Sequence, residues 1–323
     1  MMFTMTLIIS VLITISSFSW MGMWMGLEMN LLSIIPLMNN KMNLFSSETC
    51  VKYLIVQAMA SSILMMAIIL FSLNWDHLST SMMFNSSLLM KMGAAPFHFW
   101  FPEVLEGLSW FNNFMMMTIQ KIAPMILIIM NSTIFISIII LFSMFISTTM
   151  GINQTSLRKL LAYSSINHIS WMLAALMFMK SLWFIYFMVY CIISLNMILF
   201  LNKFKMFYMK HTISFSKTPI MKFFFMMNLF SLGGLPPFLG FFPKWIIIQI
   251  LIINNSFTMS FMMVMMTLVV LYFYMRITIN SLMMINAQLN FKININHKFY
   301  WMLIFNTISI NSLIIYTLTL NLP

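Results

Sequence analysis

Six residues of the 323-residue chain combine a chemically active type with a setting that makes the type expensive. Glu28 lies in WMGLEMNLL, Lys91 in KMGAAPFHF, Lys121 in MMMTIQKIAP, and Lys244 in FFPKWIIIQ; His98 follows Lys91 by seven residues, and His168 lies in SSINHISW. Each sits within or against a long apolar run. Placing a charge at the centre of a bilayer costs about 2.5–3.5 kcal/mol on insertion scales, so an ionisable residue at such a position is a functional candidate unless it snorkels to an interface. Burial favours the neutral amine of a lysine, whereas a nearby carboxylate favours the ammonium. A Glu–Lys pair is therefore a switch: when the partners separate, the lysine releases its proton to the next group. Histidine titrates closest to neutral pH, which suits His168 to a relay role and leaves His98 open between relay and structure.

Proline sharpens the lysine settings. Pro96 cannot donate to the carbonyl of Met92, nor Pro124 to that of Gln120, so each frees an acceptor beside a lysine. Free carbonyls at membrane depth are tolerated where they line a hydrated cavity. Lys91 and His98 are nearly two helical turns apart and would share a face if their helix stayed regular. Glu103 and Glu106 read as a solvated end, with a proton-collecting entrance as the alternative, and Arg276 reads as an interfacial anchor.

Other chemistry finds no motif. No Cys/His cluster has metal-ligand spacing, and Gly233-Gly-Leu-Pro-Pro has neither the pattern nor the strand context of a nucleotide loop. A Ser/His/Asp triad has no basis with Asp76 as the only aspartate. Cys50 and Cys191 lie in or beside apolar runs, which argues against a disulfide framework. The chain is thus expected to bind no cofactor and no metal.

The elements that position these residues follow from composition. Hydrophobic residues make up 62% of the chain and charged residues 7%, with a mean hydropathy of +0.98. No ordinary water-facing surface can be built from that mixture. The apolar runs are continuous and not alternating, which selects helices over a barrel. Eleven spans are expected, at about 3–20, 23–39, 50–73, 81–102, 109–130, 132–150, 157–179, 182–202, 221–252, 257–282 and 299–320. The net charge of +11 is scattered between the runs with no aromatic-basic groove, so nucleic acid is not a partner. With eleven spans, Lys41, Arg158, Lys159, the lysines from Lys203 to Lys222, Lys292 and Lys298 all fall on one face, which the positive-inside rule makes the matrix side together with the N-terminus. The start MMFTMTLIIS has no basic leader region and reads as a retained helix. With 42 Met and 33 Phe, the composition points to an AT-biased animal mitochondrial genome.

Spans 4 and 9 contain Gly/Pro breaks five helices apart, so they run in opposite directions. Interrupted helices at corresponding positions of two halves point to an inverted-repeat transporter. The fold expected is all-α integral membrane, with residues 1–130 and 131–282 as two inverted five-helix repeats broken at helices 4 and 9, and 283–323 as a terminal helix.

Five blocks in order carry a resemblance: WMGLEMNLLSIIPLM, KMGAAPFHFWFPEVLEGLSW, QKIAP, GINQTSLRKLLAYSSINHISWML and NLFSLGGLPPFLGFFPKW. They resemble subunit 2 of animal, particularly insect, mitochondrial NADH:ubiquinone oxidoreductase, one of the antiporter-like subunits of respiratory complex I. The likeness runs to about residue 282. It implies the repeat fold above, without three N-terminal helices that bacterial relatives have. It implies that Glu28 pairs with Lys91, that Lys121 is the central lysine of a proton wire, that Lys244 stands at the second broken helix toward the exit, and that His168 belongs to the connecting helix. NADH, FMN, iron–sulfur clusters and ubiquinone would then lie in other subunits. Partners would be other antiporter-like and core membrane subunits, accessory subunits and phospholipid at the flanks, in the mitochondrial inner membrane. The rival readings are a membrane-arm scaffold without its own proton path and a free-standing cation/proton antiporter subunit.

Overall fold

In lipid every backbone polar group must be satisfied within the protein, and the chain meets that demand with helices. The computed structural model describes residues 2–39, 43–214, 219–283 and 306–307. They form, in order, α1 (Met2–Ser16), α2 (Trp20–Met38), α3 (Leu44–Ser72), α4 (His77–Met92), α5 (Trp100–Gly107), α6 (Trp110–Met117), α7 (Ile119–Met130), α8 (Phe135–Ile152), α9 (Leu157–Phe178), α10 (Lys180–Lys203), α11 (Met209–Ser214), α12 (Pro219–Gly233), α13 (Phe241–Ile253) and α14 (Phe257–Met283). Among the described residues, seven stretches are long and apolar enough to cross a membrane: α2, α3, α6 with α7, α8, α9, α10 and Phe257–Ile279 of α14. α1 and α13 are shorter apolar helices. The expected span at 299–320 lies outside the described residues apart from Asn306 and Thr307.

Serine and threonine inside the spans turn their hydroxyls back to carbonyls three residues earlier, as Ser10 does to Leu7 at 2.7 Å and Thr14 to Val11 at 2.7 Å. That removes a free donor from an apolar setting. Ser19 caps α2 by accepting from the Gly22 amide. The last carbonyls of α2 need outside donors, and Asn112 supplies one to Leu37 at 2.8 Å.

The described residues fall into two compact units, one within 1–147 and 161–177, the other within 148–160 and 178–323. In the first, α1 packs on α2 and α7, α3 on α2, α4 and α5, and α7 on α4 and α6. Gly26 makes the first of these contacts possible, since a Cβ there would stand 2.4 Å from Thr14 Cγ2. In the second, α12 packs on α10 and α14, and α13 on the same two helices. There the start of α9 is tied to residues 207–209 by one antiparallel bridge, Ser156 to Tyr208, with the Arg158 guanidinium 4.8 Å from the Phe207 ring centroid.

The two expected breaks are real and are built alike. α4 ends at Gly93 in the left-handed region (φ +74°), where the Gly93 and Ala94 amides donate back to Met90 and Leu89. α12 ends the same way: Gly234 has φ +79°, and the Gly234 and Leu235 amides donate to Ser231 and Phe230. Only glycine takes that conformation without a steric cost. A cis X–Pro bond follows three residues on in each case, at Pro96 and Pro237.

Elsewhere the expectation needs correction. Span 5 is not one regular helix: Thr118 (φ −116°, ψ −75°) separates α6 from α7, three residues before Lys121. Its hydroxyl and amide both turn to the Phe114 carbonyl, an interruption with no Gly or Pro to announce it. Span 3 begins six residues earlier than expected, at Leu44, which brings Glu48 into α3 one turn before Lys52.

Candidate functional site

α2, α3, α4 and α7 of the first unit each carry a polar residue to one place. α2 presents Glu28 and, two residues on, Asn30; α3 presents Tyr53 and Gln57; α4 carries Lys91 in its last turn; and α7 presents Gln120, one residue before Lys121. Tyr53, Gln57, Lys91, Asn30 and Gln120, with apolar side chains and Pro124, line a cavity of about 10 Å³. That is close to the smallest space a single water occupies.

The polar walls are bonded to one another. The Tyr53 hydroxyl donates to Gln120 Oε1 at 3.2 Å, and Gln120 Nε2 donates to Asn30 Oδ1 at 2.8 Å. Gln57 Nε2 donates to the Lys91 carbonyl at 3.3 Å, and Trp100 Nε1 to the Met90 carbonyl at 3.2 Å. At the break in α4 the Lys91 carbonyl is thus taken by a side chain, and the Met90 carbonyl is shared between Trp100 and the Gly93 amide. A free carbonyl is expected at Met92 from the sequence; those of Lys91 and Met90 are satisfied instead, because the helix stops before proline's missing donor matters.

Lys91 is 7% exposed and faces the cavity. The half-buried Glu28 lies within electrostatic reach of both Lys91 and Tyr53. Its Oε1 is buried and accepts no hydrogen bond, and among the described residues no ion pair joins it directly to Lys91. The attraction therefore acts across a gap. Lys121 is 1% exposed, with Nζ 5.2 Å from the centroid of the Phe101 ring, a cation–π geometry. Phe101 in turn packs against Gly93, whose missing Cβ would stand 3.1 Å from Phe101 Cβ. The helix break and the central lysine thus share one aromatic side chain.

The histidines are placed otherwise. α4 ends at Met92, so His98 does not share a helix face with Lys91; the shared-face argument required a regularity the glycine cap destroys. His98 is buried in the connection, with Nδ1 3.3 Å from the Pro96 carbonyl and its ring 6.4 Å from that of Tyr163 in α9. His168 is buried in α9 among Ser164, Ser165, Asn167 and Ser170.

In the second unit Lys244 turns inward and is 6% exposed. Its Nζ donates to the carbonyls of Gly233 at 2.8 Å and Leu232 at 3.4 Å, the last of α12. A cation there complements the negative end of the helix dipole. The chain reaches this position by lying over Gly234, where a Cβ would stand 2.9 Å from Lys244 Cδ and Nζ.

Glu103 is in α5 and not in a loop end; with Glu48 it flanks the exposed Lys52, at 2.8 and 3.0 Å. Surface ion pairs of this kind contribute about 0–1 kcal/mol. Among the described residues no group of three or more His, Cys, Asp or Glu converges as a metal requires.

The residues the sequence argument passed over are the neutral ones: Asn30, Tyr53, Gln57 and Gln120. Their signal was available, since an amide inside an apolar span also needs a partner.

Comparisons with known proteins agree with this architecture. Residues 17–271 match the family described as NADH:quinone oxidoreductase/Mrp antiporter, TM. The chain is 51% identical over 325 residues to NADH-ubiquinone oxidoreductase chain 2 of Anopheles gambiae, covering 97% of this chain and 95% of that one. Its fold is similar to a chain in the structure of respiratory complex I from Thermus thermophilus with bound aureothin, with a TM-score of 0.86, 18% identity, and coverage of 98% of this chain and 78% of that one. It is also similar to a chain of the Mrp complex from Dietzia sp. DQ12-45-1b, with a TM-score of 0.73, 16% identity, and coverage of 85% and 59%. The chain is a multi-pass membrane protein that belongs to the NADH:quinone oxidoreductase/Mrp antiporter family and, within it, to the NADH-ubiquinone oxidoreductase chain 2 proteins.

Proposed function

We propose that the chain is a proton-translocating, antiporter-like core subunit of mitochondrial NADH:ubiquinone oxidoreductase. It moves protons from matrix to intermembrane space, driven by electron transfer from NADH to ubiquinone in other subunits. The chain does no redox chemistry of its own in this reading: NADH, FMN, the iron–sulfur clusters and ubiquinone are held elsewhere, and its neighbours are other antiporter-like and core subunits, accessory subunits and lipid. The observation that carries the proposal is the polar cavity of the first unit, on which Lys91 opens and from which a hydrogen-bonded chain leads to Gln120, next to Lys121.

The steps follow from the residues. Glu28 favours the ammonium form of Lys91 through space; a change in their separation releases the Lys91 proton. Lys121, held over Phe101, is the next amine to receive it, with His168 and His98 as relay candidates and Lys244 as the lysine of the exit side. The like construction of the two breaks, at Gly93 and Gly234, supports two inverted five-helix repeats, residues 1–130 and 131–282, followed by a terminal helix at 283–323. A scaffold without its own path, and a free-standing cation/proton antiporter subunit, are the rivals. Buried lysines count against the scaffold, since each costs free energy that a scaffold has no use for.

The deciding experiment is proton pumping against NADH oxidation in reconstituted complex carrying Lys121→Ala. The expected result is fewer protons per electron, or loss of both activities together, in a fully assembled complex. Unchanged pumping with normal assembly would remove Lys121 from the path and favour the scaffold.

A further inference from the structure

The hydrogen-bonded chain on the cavity wall has a property that a row of single-purpose donors lacks. Tyr53 donates to Gln120 and Gln120 donates to Asn30, so the donors all run from α3 through α7 to α2. Each member can also act in the opposite sense. A phenol both donates and accepts, and a carboxamide carries a donor at one end and an acceptor at the other. If both amides turn over, Asn30 Nδ2 donates to Gln120 Oε1 and Gln120 Nε2 donates to the Tyr53 oxygen. Two hydrogen bonds are made in either direction. The chain is therefore close to degenerate, and what lies at its Tyr53 end decides its direction.

Tyr53 and Lys91 line the same cavity, which is about the size of a single water. In the observed direction the hydroxyl proton is committed to Gln120, and the Tyr53 oxygen offers only lone pairs to the cavity. That matches an ammonium, which has three donors and no acceptor. In the reversed direction the hydroxyl proton is free to point into the cavity. That matches a neutral amine, which has a lone pair to offer.

We propose that Tyr53–Gln120–Asn30 is a reversible hydrogen-bond relay that senses the charge of Lys91 across the shared cavity and transmits it to α7, one residue before Lys121. No bond to hydrogen breaks within the relay; three groups rotate. The reversal turns the Gln120 dipole around on α7, one position before Lys121 in the chain, and hydrogen bonds in a chain polarise one another, so the three reorient together. Tyr53 and Gln120 are positioning residues in this scheme and not proton carriers. The inference rests on the proton-pumping reading above.

The test uses assembled complex in proteoliposomes carrying Tyr53→Phe, Gln120→Leu or both, with Lys121→Ala alongside. Tyr53→Phe keeps the ring that packs 5.7 Å from the Trp100 ring and removes only the hydroxyl. Coupled turnover and protons pumped per NADH are measured per assembled complex. The expected result is a roughly threefold to tenfold fall in coupled turnover for each single variant, with the KM for ubiquinone unchanged. The double variant should be no worse than either single, because a relay cut once is already cut. Normal turnover in both singles, or losses that add in the double, would overturn the relay. If Lys121→Ala is impaired while the relay variants are normal, the relay alone falls; if Lys121→Ala also pumps normally, the pumping reading falls with it.

Discussion

Lys244 and Gly234 show how one side chain and one missing side chain define a position. The lysine reaches the terminal carbonyls of α12 only because the chain before it has no Cβ in the way and holds a φ of +79°. A left-handed conformation costs an L-residue about 1–2 kcal/mol, and here the added methyl also lies 2.9 Å from the lysine. Gly234→Ala is therefore expected to lower the thermal stability of the assembled complex and to reduce turnover, by pushing the ammonium off its acceptors. Gly233→Ala provides the control, because its nearest new contact is 3.5 Å away and its φ is ordinary. Comparing melting and turnover of the two variants checks the point; equal losses would contradict it. Glu28 and Lys91 illustrate the opposite arrangement at the same scale, a pair that acts through space without direct contact.

Helices make the next level, and here close approach matters more than propensity. Gly26 lets α2 lie against α1, with its absent Cβ 2.4 Å from Thr14 Cγ2 and 3.0–3.1 Å from backbone atoms of Thr14 and Ser10. Overfilling such a contact costs about 1–3 kcal/mol. Gly26→Ala is expected to destabilise the α1–α2 pair, and Thr14→Ser, which removes the nearest methyl, is expected to restore only part of the loss because the backbone contacts remain. Measuring the yield of assembled complex for the single and double variants tests this: full rescue, or none, would show that the contact is not what limits the packing. At the same scale, α4 and α12 end by one rule, a left-handed glycine accepted by the helix it closes. α6 and α7 part at Thr118 by another, in which a hydroxyl and an amide compete for the Phe114 carbonyl.

At the scale of the whole molecule the expectation still open to direct measurement is orientation. Lys203, Lys205 and Lys210 are exposed around the turn that follows α10, and the positive-inside rule puts that turn in the matrix. Lys210→Cys is expected to react with a membrane-impermeant maleimide only when the matrix face of the inner membrane is open to it. Cys50, which is buried, and Cys191, which is half-buried, set the background. Labelling from the intermembrane-space side of intact mitoplasts would invert the topology proposed here.

Much of this was legible in the residues before any coordinates. Helices follow because continuous apolar runs in lipid must bond their backbones internally, and the two breaks follow because Gly and Pro are local causes with local effects. Glu28, Lys91, Lys121 and Lys244 stood out because a charge in an apolar run is costly wherever it ends up. What only the tertiary structure decided are the relations between distant residues. Nothing local says that Tyr53, Gln120 and Asn30 bond in a row, that Phe101 lies under Lys121, or that Lys244 folds back instead of outward. The break at Thr118 and the loss of a common face for Lys91 and His98 belong with these. Each depends on which helices pack together, and packing depends on the fit of surfaces contributed by segments far apart in the chain, which periodicity along one segment does not contain.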